Sequence, residues 1–128
     1  PETPVHLAGA HDTAAVRGWI TFHTGAPLVG PDAAVFAVGR WPALAPLGAY
    51  PVGTAEYPDR SATLIVELDA LAPEGAELRG PGIGDRAALS LPEVEAFARN
   101  ARLFPLGLDF FFTAGRSLAA LPRTTKVS

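Results

Sequence analysis

Hydrophobic positions recur at helical spacing near the start of the chain. They are Val16, Trp19, Ile20 and His23. Asp12 precedes this pattern and is a residue type that caps helix N-termini, whereas Gly25 and Pro27 follow it and end helices. The pattern therefore predicts a helix that begins after Asp12 and ends at Gly25.

Three short, mostly apolar runs follow, at residues 33–38, 61–68 and 108–113. Their length and β-branched or aromatic content are typical of strands covered on both faces. A second helix is predicted from Pro92 to about Leu103, capped by Ser90. Shorter extended segments are expected at 77–79, 118–121 and 124–127, and an irregular, Pro- and Gly-containing segment at 40–53.

Buried strands that alternate with amphipathic helices indicate an α/β fold, and we expect a three-layer sandwich. The length of 128 residues fits one domain, residues 1–128. The chain contains no methionine and begins with Pro1, so we expect the natural start to lie upstream.

Composition excludes several classes of function. The net charge is −3 and the only lysine is Lys126, so no basic surface for nucleic acid is expected. Cysteine is absent, which removes thiolate metal sites, iron–sulfur clusters and a cysteine nucleophile. No apolar run reaches the ~20 residues that cross a bilayer. We expect a cytoplasmic protein without a membrane segment.

Common catalytic and nucleotide motifs are also missing. The glycines at 80, 82 and 84 fit neither a phosphate-binding loop nor a dinucleotide fingerprint, and indicate a tight turn. His6, His11 and His23 are not at metal-ligand spacing, and surface or capping roles are favoured over a zinc site. We expect no metal and no cofactor.

Residues 53–61 place Glu56, Tyr57, Asp59 and Arg60 directly before a predicted strand. These side chains are candidates for contacts with a ligand or a partner, because functional residues are often drawn from loops. The alternative is a structural turn in which Glu56 or Asp59 pairs with Arg60.

Two further segments carry candidate ligand- or partner-binding residues. Asp109 is the one charge in an apolar run, so it pairs with an arginine or acts as a functional acid. Arg123, Thr124 and Thr125 could bind a phosphate or phosphonate, since the arginine fork matches such oxyanions. The alternative for residues 121–127 is a solvated edge strand.

These segments together resemble a known family. The sequences GTAEYPDRSATL (53–64), GPGI (80–83), FPLGLD (104–109) and LPRTTKV (121–127), with FHTGAPL (22–28), resemble in order and spacing the H subunit family, PhnH, of the bacterial carbon–phosphorus lyase system. Members typically carry further residues upstream, and the stretch 40–50 looks shortened in this chain.

The resemblance implies a subunit of the assembly that couples a phosphonate to the ribose of ATP, giving a ribose 1-phosphonate 5-triphosphate. It implies the fold of pyridoxal-phosphate-dependent transferases without the cofactor site, consistent with a single lysine near the C-terminus. It also implies partner subunits, no catalysis by the isolated chain, and a homodimer when isolated.

A second hypothesis makes the chain a phosphonate- or nucleotide-binding subunit that contributes directly to the transferase step. Glu56, Tyr57 and Arg60 would then line a site to which Arg123 adds positive charge. A shared anion site requires Arg60 and Arg123 to be close and not held in separate salt bridges.

Overall fold

The computed structural model describes residues 3–84 and 86–128. Pro1 lies outside the described residues. The helices are α1 (Ala14–Thr24), α2 (Trp41–Leu44) and α3 (Val94–Ala101). The strands are β1 (Val5–Leu7), β2 (Phe36–Arg40), β3 (Thr63–Glu67), β4 (Ala76–Arg79), β5 (Ala87–Leu89), β6 (Asp109–Ala114), β7 (Ser117–Leu121) and β8 (Lys126–Val127). The predicted mixed α/β class is confirmed.

The main sheet has five strands in the order β1-β2-β3-β6-β7. The first four strands are parallel, and β7 returns antiparallel to β6 through a tight turn. Strands β5, β4 and β8 form a second, antiparallel sheet in that order. The predicted strands at 61–68, 77–79, 108–113 and 118–121 are present, with bounds shifted by a few residues.

The core lies on one face of the main sheet. Leu64, Phe110 and Phe112 project from β3 and β6 and are at most 1% exposed. Phe97 of α3 packs on both phenylalanines, with ring centroids at 4.8 and 5.4 Å, and Trp41 of α2 packs on Phe97 at 4.8 Å. Helices α2 and α3 therefore cover the same face.

The opposite face of the sheet is not buried by the described residues, so the expectation of strands covered on both faces is wrong there. Burial alternates along β2 and β6, and Phe36 and Phe111 are 37% and 41% exposed. The register aligns Val38, Ile65 and Phe111 in one apolar row across this open face. Single-faced burial with period two is typical of a sheet that has one covered side.

Helix α1 ends as predicted but is packed differently. Gly25 adopts a left-handed conformation and donates its N–H to Thr21, which closes the helix. The cap is Thr13, whose hydroxyl accepts from Val16, because Asp12 instead pairs with Arg17. No residue of α1 is buried, so the helix displays its apolar face.

Two predicted starts are corrected. Helix α3 begins at Val94 rather than Pro92, because the Ser90 hydroxyl accepts from the Ala72 N–H instead of capping the helix. Strand β2 begins at Phe36, since residues 31–33 form a 3₁₀ turn. The segment 40–53 is largely irregular as expected, apart from α2 and a 3₁₀ turn at Leu47–Ala49.

Candidate functional site

Three of the polar segments meet at one edge of the main sheet. The loops before β3 and β6 lie at the same, amino-terminal edge because those strands are parallel neighbours. Strand β7 runs antiparallel, so the segment that follows it reaches this same edge. The topology thus brings residues 53–61, 104–109 and 121–125 together.

Arg123 links these three segments and is only 14% exposed. Its guanidinium donates to both carboxylate oxygens of Asp109, at 3.3 and 2.7 Å, and its backbone N–H donates to Oδ1 at 2.7 Å. The same guanidinium donates to the carbonyls of Pro58 at 2.7 Å and Pro105 at 3.4 Å, and to the Ser61 hydroxyl. We call Arg123, Asp109 and Ser61 the arginine clamp.

All five guanidinium N–H groups of Arg123 therefore have acceptors within the chain. No donor is left to receive an oxyanion. Of the two roles open for Asp109, the geometry matches a structural partner for an arginine. Arg60 is not part of this ion pair, and a shared anion site of Arg60 and Arg123 is disfavoured by this geometry.

The Asp109 carboxyl is held in its charged form. Its burial acts to raise the pKa, but the hydrogen bonds and positive charge of Arg123 outweigh this effect, and the pKa lies below its ordinary value. A carboxylate with this pairing stabilises the fold rather than serving as a proton donor near neutral pH.

The loop of residues 53–60 is closed on itself. Gly53 has a φ of +85°, and a β-carbon there would lie 2.6 Å from the Pro58 carbonyl oxygen. The Tyr57 N–H donates to the Thr54 hydroxyl at 3.0 Å, and the Thr54 N–H donates to the Tyr57 carbonyl at 3.1 Å. The turn is therefore a fixed structure with a specific requirement for glycine.

The tip of this loop displays its side chains. The guanidinium carbon of Arg60 lies 3.8 Å from the centroid of the Tyr57 ring, a cation–π contact. Glu56, Asp59 and Arg60 are exposed, and Tyr57 is 42% exposed. Within the described residues neither Glu56 nor Asp59 has an ion-pair partner, so the alternative in which one of them pairs with Arg60 is not observed.

Thr124 and Thr125 divide between surface and interior. Thr124 is exposed, whereas Thr125 is 3% exposed and donates its N–H to Pro122. A β-carbon on Gly80 would lie 3.0 Å from the Thr124 carbonyl, so the turn at 80–83 packs directly on this segment. The motifs at 53–64, 80–83 and 104–109 thus each contact the segment 121–127, whereas residues 22–28 lie beside β1.

Two polar residues of this region were absent from the predicted site. Ser61 belongs to the arginine clamp, and Asn100 is buried on α3, where its amide bonds the N–H and carbonyl of Leu108 at 2.8 and 2.9 Å. The position of an asparagine on the apolar face of a helix could have indicated this role, because a buried side-chain amide needs hydrogen-bond partners.

A chain of charged residues at the opposite, carboxyl-terminal edge was also not predicted. Arg40 contacts Glu67 at 3.0 Å and also pairs with Asp69, and His11 lies 3.6 Å from Glu67. Arg40 and Glu67 are the last residues of β2 and β3, whereas His11 follows β1 and Asp69 follows β3. Their proximity is therefore evident only once the order of the strands is known. Arg40 pairs with both acids, which is a structural ion-pair arrangement.

The described residues also form a pocket of about 570 Å³, open to solvent, between α2, the segment that follows it and α3. Trp41, Leu47, Val52 and Leu108 form apolar walls, and Arg99 lies among its lining residues. Among residues 3–84 and 86–128 no group of three or more His, Asp or Glu could hold a metal ion. None of their helices is long and apolar enough to cross a membrane.

Comparison with known proteins gives consistent matches. The sequence profile of the family described as "Bacterial phosphonate metabolism protein (PhnH)" matches residues 1–128. The chain is 40% identical to the alpha-D-ribose 1-methylphosphonate 5-triphosphate synthase subunit PhnH of Rhizobium meliloti, over 98% of this chain and 67% of that protein. It is 32% identical to the putative C-P lyase subunit protein HtxG of Stutzerimonas stutzeri, over 60% of this chain and 43% of that protein.

Proposed function

Since the chain belongs to the PhnH family of bacterial phosphonate metabolism proteins, we propose that it is a subunit of the carbon–phosphorus lyase assembly. Within that assembly it supports formation of a ribose 1-phosphonate 5-triphosphate from ATP and a phosphonate. It acts with partner subunits and is not catalytic alone.

The arginine clamp is the observation that carries this proposal. The recognised motifs do not converge on an open pocket, because Arg123, Asp109 and Ser61 are bonded to one another. The clamp instead holds the base of the loop that displays Tyr57 and Arg60. A fixed support beneath an exposed aromatic and arginine is suited to a protein contact, since both residue types are enriched in interfaces.

Co-expression with the other lyase subunits and affinity purification tests the proposal. Tyr57→Ala and Arg60→Ala should lower the amount of this chain in the purified assembly while leaving its unfolding midpoint within error. Arg102→Ala is the matched control, because the Arg102 side chain, directly after α3, is 63% exposed. Full assembly by both loop variants would remove the loop from the interface.

Activity of the purified chain alone tests the other half of the proposal. We expect no turnover of ATP with methylphosphonate until the partner subunits are added. Turnover without partners would refute a non-catalytic subunit.

The alternative, a subunit that binds phosphonate or nucleotide directly, has weaker support. Arg60 stacks on Tyr57 and all guanidinium N–H groups of Arg123 are engaged. Calorimetric titration with ATP and with methylphosphonate decides between the two readings, since saturable heat that Arg60→Ala abolishes would favour the alternative. Glu56, Asp59, Thr124 and Thr125 remain candidate contacts in either reading.

In the absence of partners we propose that two copies associate. Trp19 and Phe22 on α1 are 60% and 84% exposed, and their rings lie 4.5 and 4.9 Å from the His23 ring. An exposed aromatic surface on an eleven-residue helix that buries none of its residues is typical of an association site. Sedimentation velocity over a range of concentrations measures this association.

The three-layer architecture of pyridoxal-phosphate-dependent transferases is part of the same proposal, without the cofactor. Parallel strands β1, β2, β3 and β6 with helices on one face support it. The open face, with Phe36 and Phe111, is where the third layer would lie. A structure of the intact assembly would test this architecture. We also propose that the chain resides in the cytoplasm and contacts no nucleic acid, which cell fractionation would test.

A further inference from the structure

The main sheet also has two lateral edges, formed by its outermost strands β1 and β7, and these two strands differ in how they are covered. Beyond β1, Val5 donates to Pro27 and accepts from Val29, at 2.8 and 2.9 Å, so the segment 27–29 covers that edge. Beyond β7 no described residue forms a comparable backbone ladder, because β7 is the last strand in the sheet order. An uncovered edge presents backbone groups that can pair with another strand.

The register identifies which backbone groups of β7 are free. Asp109 donates its N–H to Ala62, and Thr113 accepts from Leu68, so the odd-numbered residues of β6 direct their backbone groups toward β3. The even-numbered residues then face β7, where their partners are Leu121, Ala119 and Ser117. Leu118 and Ala120 consequently direct both N–H and C=O away from the sheet.

The side chains of β7 do nothing to block this edge. The strand reads Ser-Leu-Ala-Ala-Leu, with no charge and no proline between Arg116 and Pro122. Leu118 is 68% exposed and Ala120 is exposed. Protected edges usually carry a lysine, a proline or a bulge within the strand, and β7 carries none of these.

We propose that the free edge of β7 accepts an extended segment of another subunit, which adds a sixth strand to the main sheet. This inference rests on the proposed function as an assembly subunit. The added strand would form four hydrogen bonds with Leu118 and Ala120, whose two N–H groups would donate and whose two carbonyls would accept. Small or β-branched side chains in that segment would lie beside Leu118 and Ala120 on the open face.

A different subunit fits this edge better than a second copy of the chain. Two β7 strands paired about Ala119 would match Leu118 with Ala120 and end at Pro122, which lacks an N–H. Five-residue strands with two alanines bury far less than the ~1,200 Å² of a stable interface. The open faces would lie side by side and Phe111 would stay exposed, whereas a different subunit can cover that face with the chain that follows its strand.

Hydrogen exchange at single residues tests the proposal. The chain is examined free at several concentrations and within the assembly co-purified with the other lyase subunits. In the free chain the amides of Leu118 and Ala120 should exchange freely while those of Ala119 and Leu121 are protected. In the assembly Leu118 and Ala120 should slow by at least about tenfold.

Two variants give an independent readout. Ala120→Pro removes an outward N–H and Ala120→Lys adds an edge charge, and each should lower co-purification at least about tenfold. Ala10→Lys is the control, because Ala10 is also an exposed alanine but lies in the 3₁₀ turn that follows β1 in the sequence. Circular dichroism of the free variants establishes that they remain folded.

The outcomes separate the edge proposal from the proposed function. An assembly in which Leu118 and Ala120 still exchange freely, or in which both Ala120 variants assemble normally, overturns the edge proposal and leaves the subunit function standing. Protection that grows with concentration in the free chain assigns the edge to a second copy and also overturns it. Failure of the unaltered chain to assemble refutes both.

Discussion

Replacing Arg123 with alanine should destabilise the chain far more than replacing any exposed arginine. Asp109 would lose both guanidinium contacts, at 2.7 and 3.3 Å, and would keep only a backbone donor. The Pro58 carbonyl and the Ser61 hydroxyl would also lose their donor. Breaking a buried ion pair costs about 3–5 kcal/mol.

The Asp109 side chain is 32% exposed, so water can partly solvate the carboxylate that the substitution leaves behind. We therefore expect a loss at the lower end, about 2–4 kcal/mol in the free energy of unfolding. For a domain of this size that corresponds to a fall in Tm of roughly 6–16 °C. Urea unfolding, followed by tryptophan fluorescence and circular dichroism, measures the loss in the free energy of unfolding, with buried Trp41 as the fluorescent reporter.

Arg102→Ala is the control for size and charge, because Arg102 pairs with Glu95 on the surface and both are more than 60% exposed. Its cost should stay below about 1 kcal/mol. A double-mutant cycle of Arg123→Ala with Asp109→Asn should show a coupling of about 1 kcal/mol or more. Equal effects of Arg123→Ala and Arg102→Ala, or additive effects in the cycle, would refute the arginine clamp.

Three further predictions follow from the same contacts. The stability from Asp109, whose pKa is depressed on folding, should be fully present well above the ordinary pKa of 3.8 and disappear as pH falls below it, so Asp109→Asn should flatten the acid limb of stability against pH. Asn100→Ala removes two hydrogen bonds to Leu108 and should cost about 2 kcal/mol in urea unfolding. Replacing Trp19 and Phe22 with serine should abolish concentration-dependent sedimentation of the isolated chain without changing its Tm, because neither side chain is buried.

Local patterns predicted the strands more reliably than their surroundings. β3 and β6 were identifiable because β-branched and aromatic residues crowd into short runs. Coverage of a second face depends on elements elsewhere in the chain or outside it, and Phe111 looks the same in sequence whether covered or open. The prediction of two buried faces failed for that reason.

Helix starts failed for a different physical reason. Asp12 and Ser90 are both good capping residues, yet Arg17 and the Ala72 N–H compete for their oxygens. The competitor of Ser90 is 18 residues away, so sequence proximity could not reveal it. The end of α1 at Gly25 was predictable because a left-handed residue closes a helix through local bonds alone.

The sequence placed the candidate residues in three separate segments. For Asp109 it left open a functional acid or a partner for an arginine, and it did not identify which arginine. Nine arginines offered nine possible partners. Only the antiparallel return of β7 brings Arg123 to the edge where β6 begins. Pairing of this kind becomes predictable once strand order is known, because the order determines which loops share an edge.

The position of the clamp on the sheet bears on which hypothesis is correct. Ligands of open α/β sheets bind outside the carboxyl ends of the strands, and the recognised motifs lie at the amino ends, where their polar groups are bonded to one another. The carboxyl edge holds Arg40 between Glu67 and Asp69, so its guanidinium is likewise neutralised. Arg123 and Arg40 are therefore both held in internal ion pairs. Under the proposed function, the exposed loop tip at Tyr57 and Arg60 is the part of the recognised segments that would contact another protein.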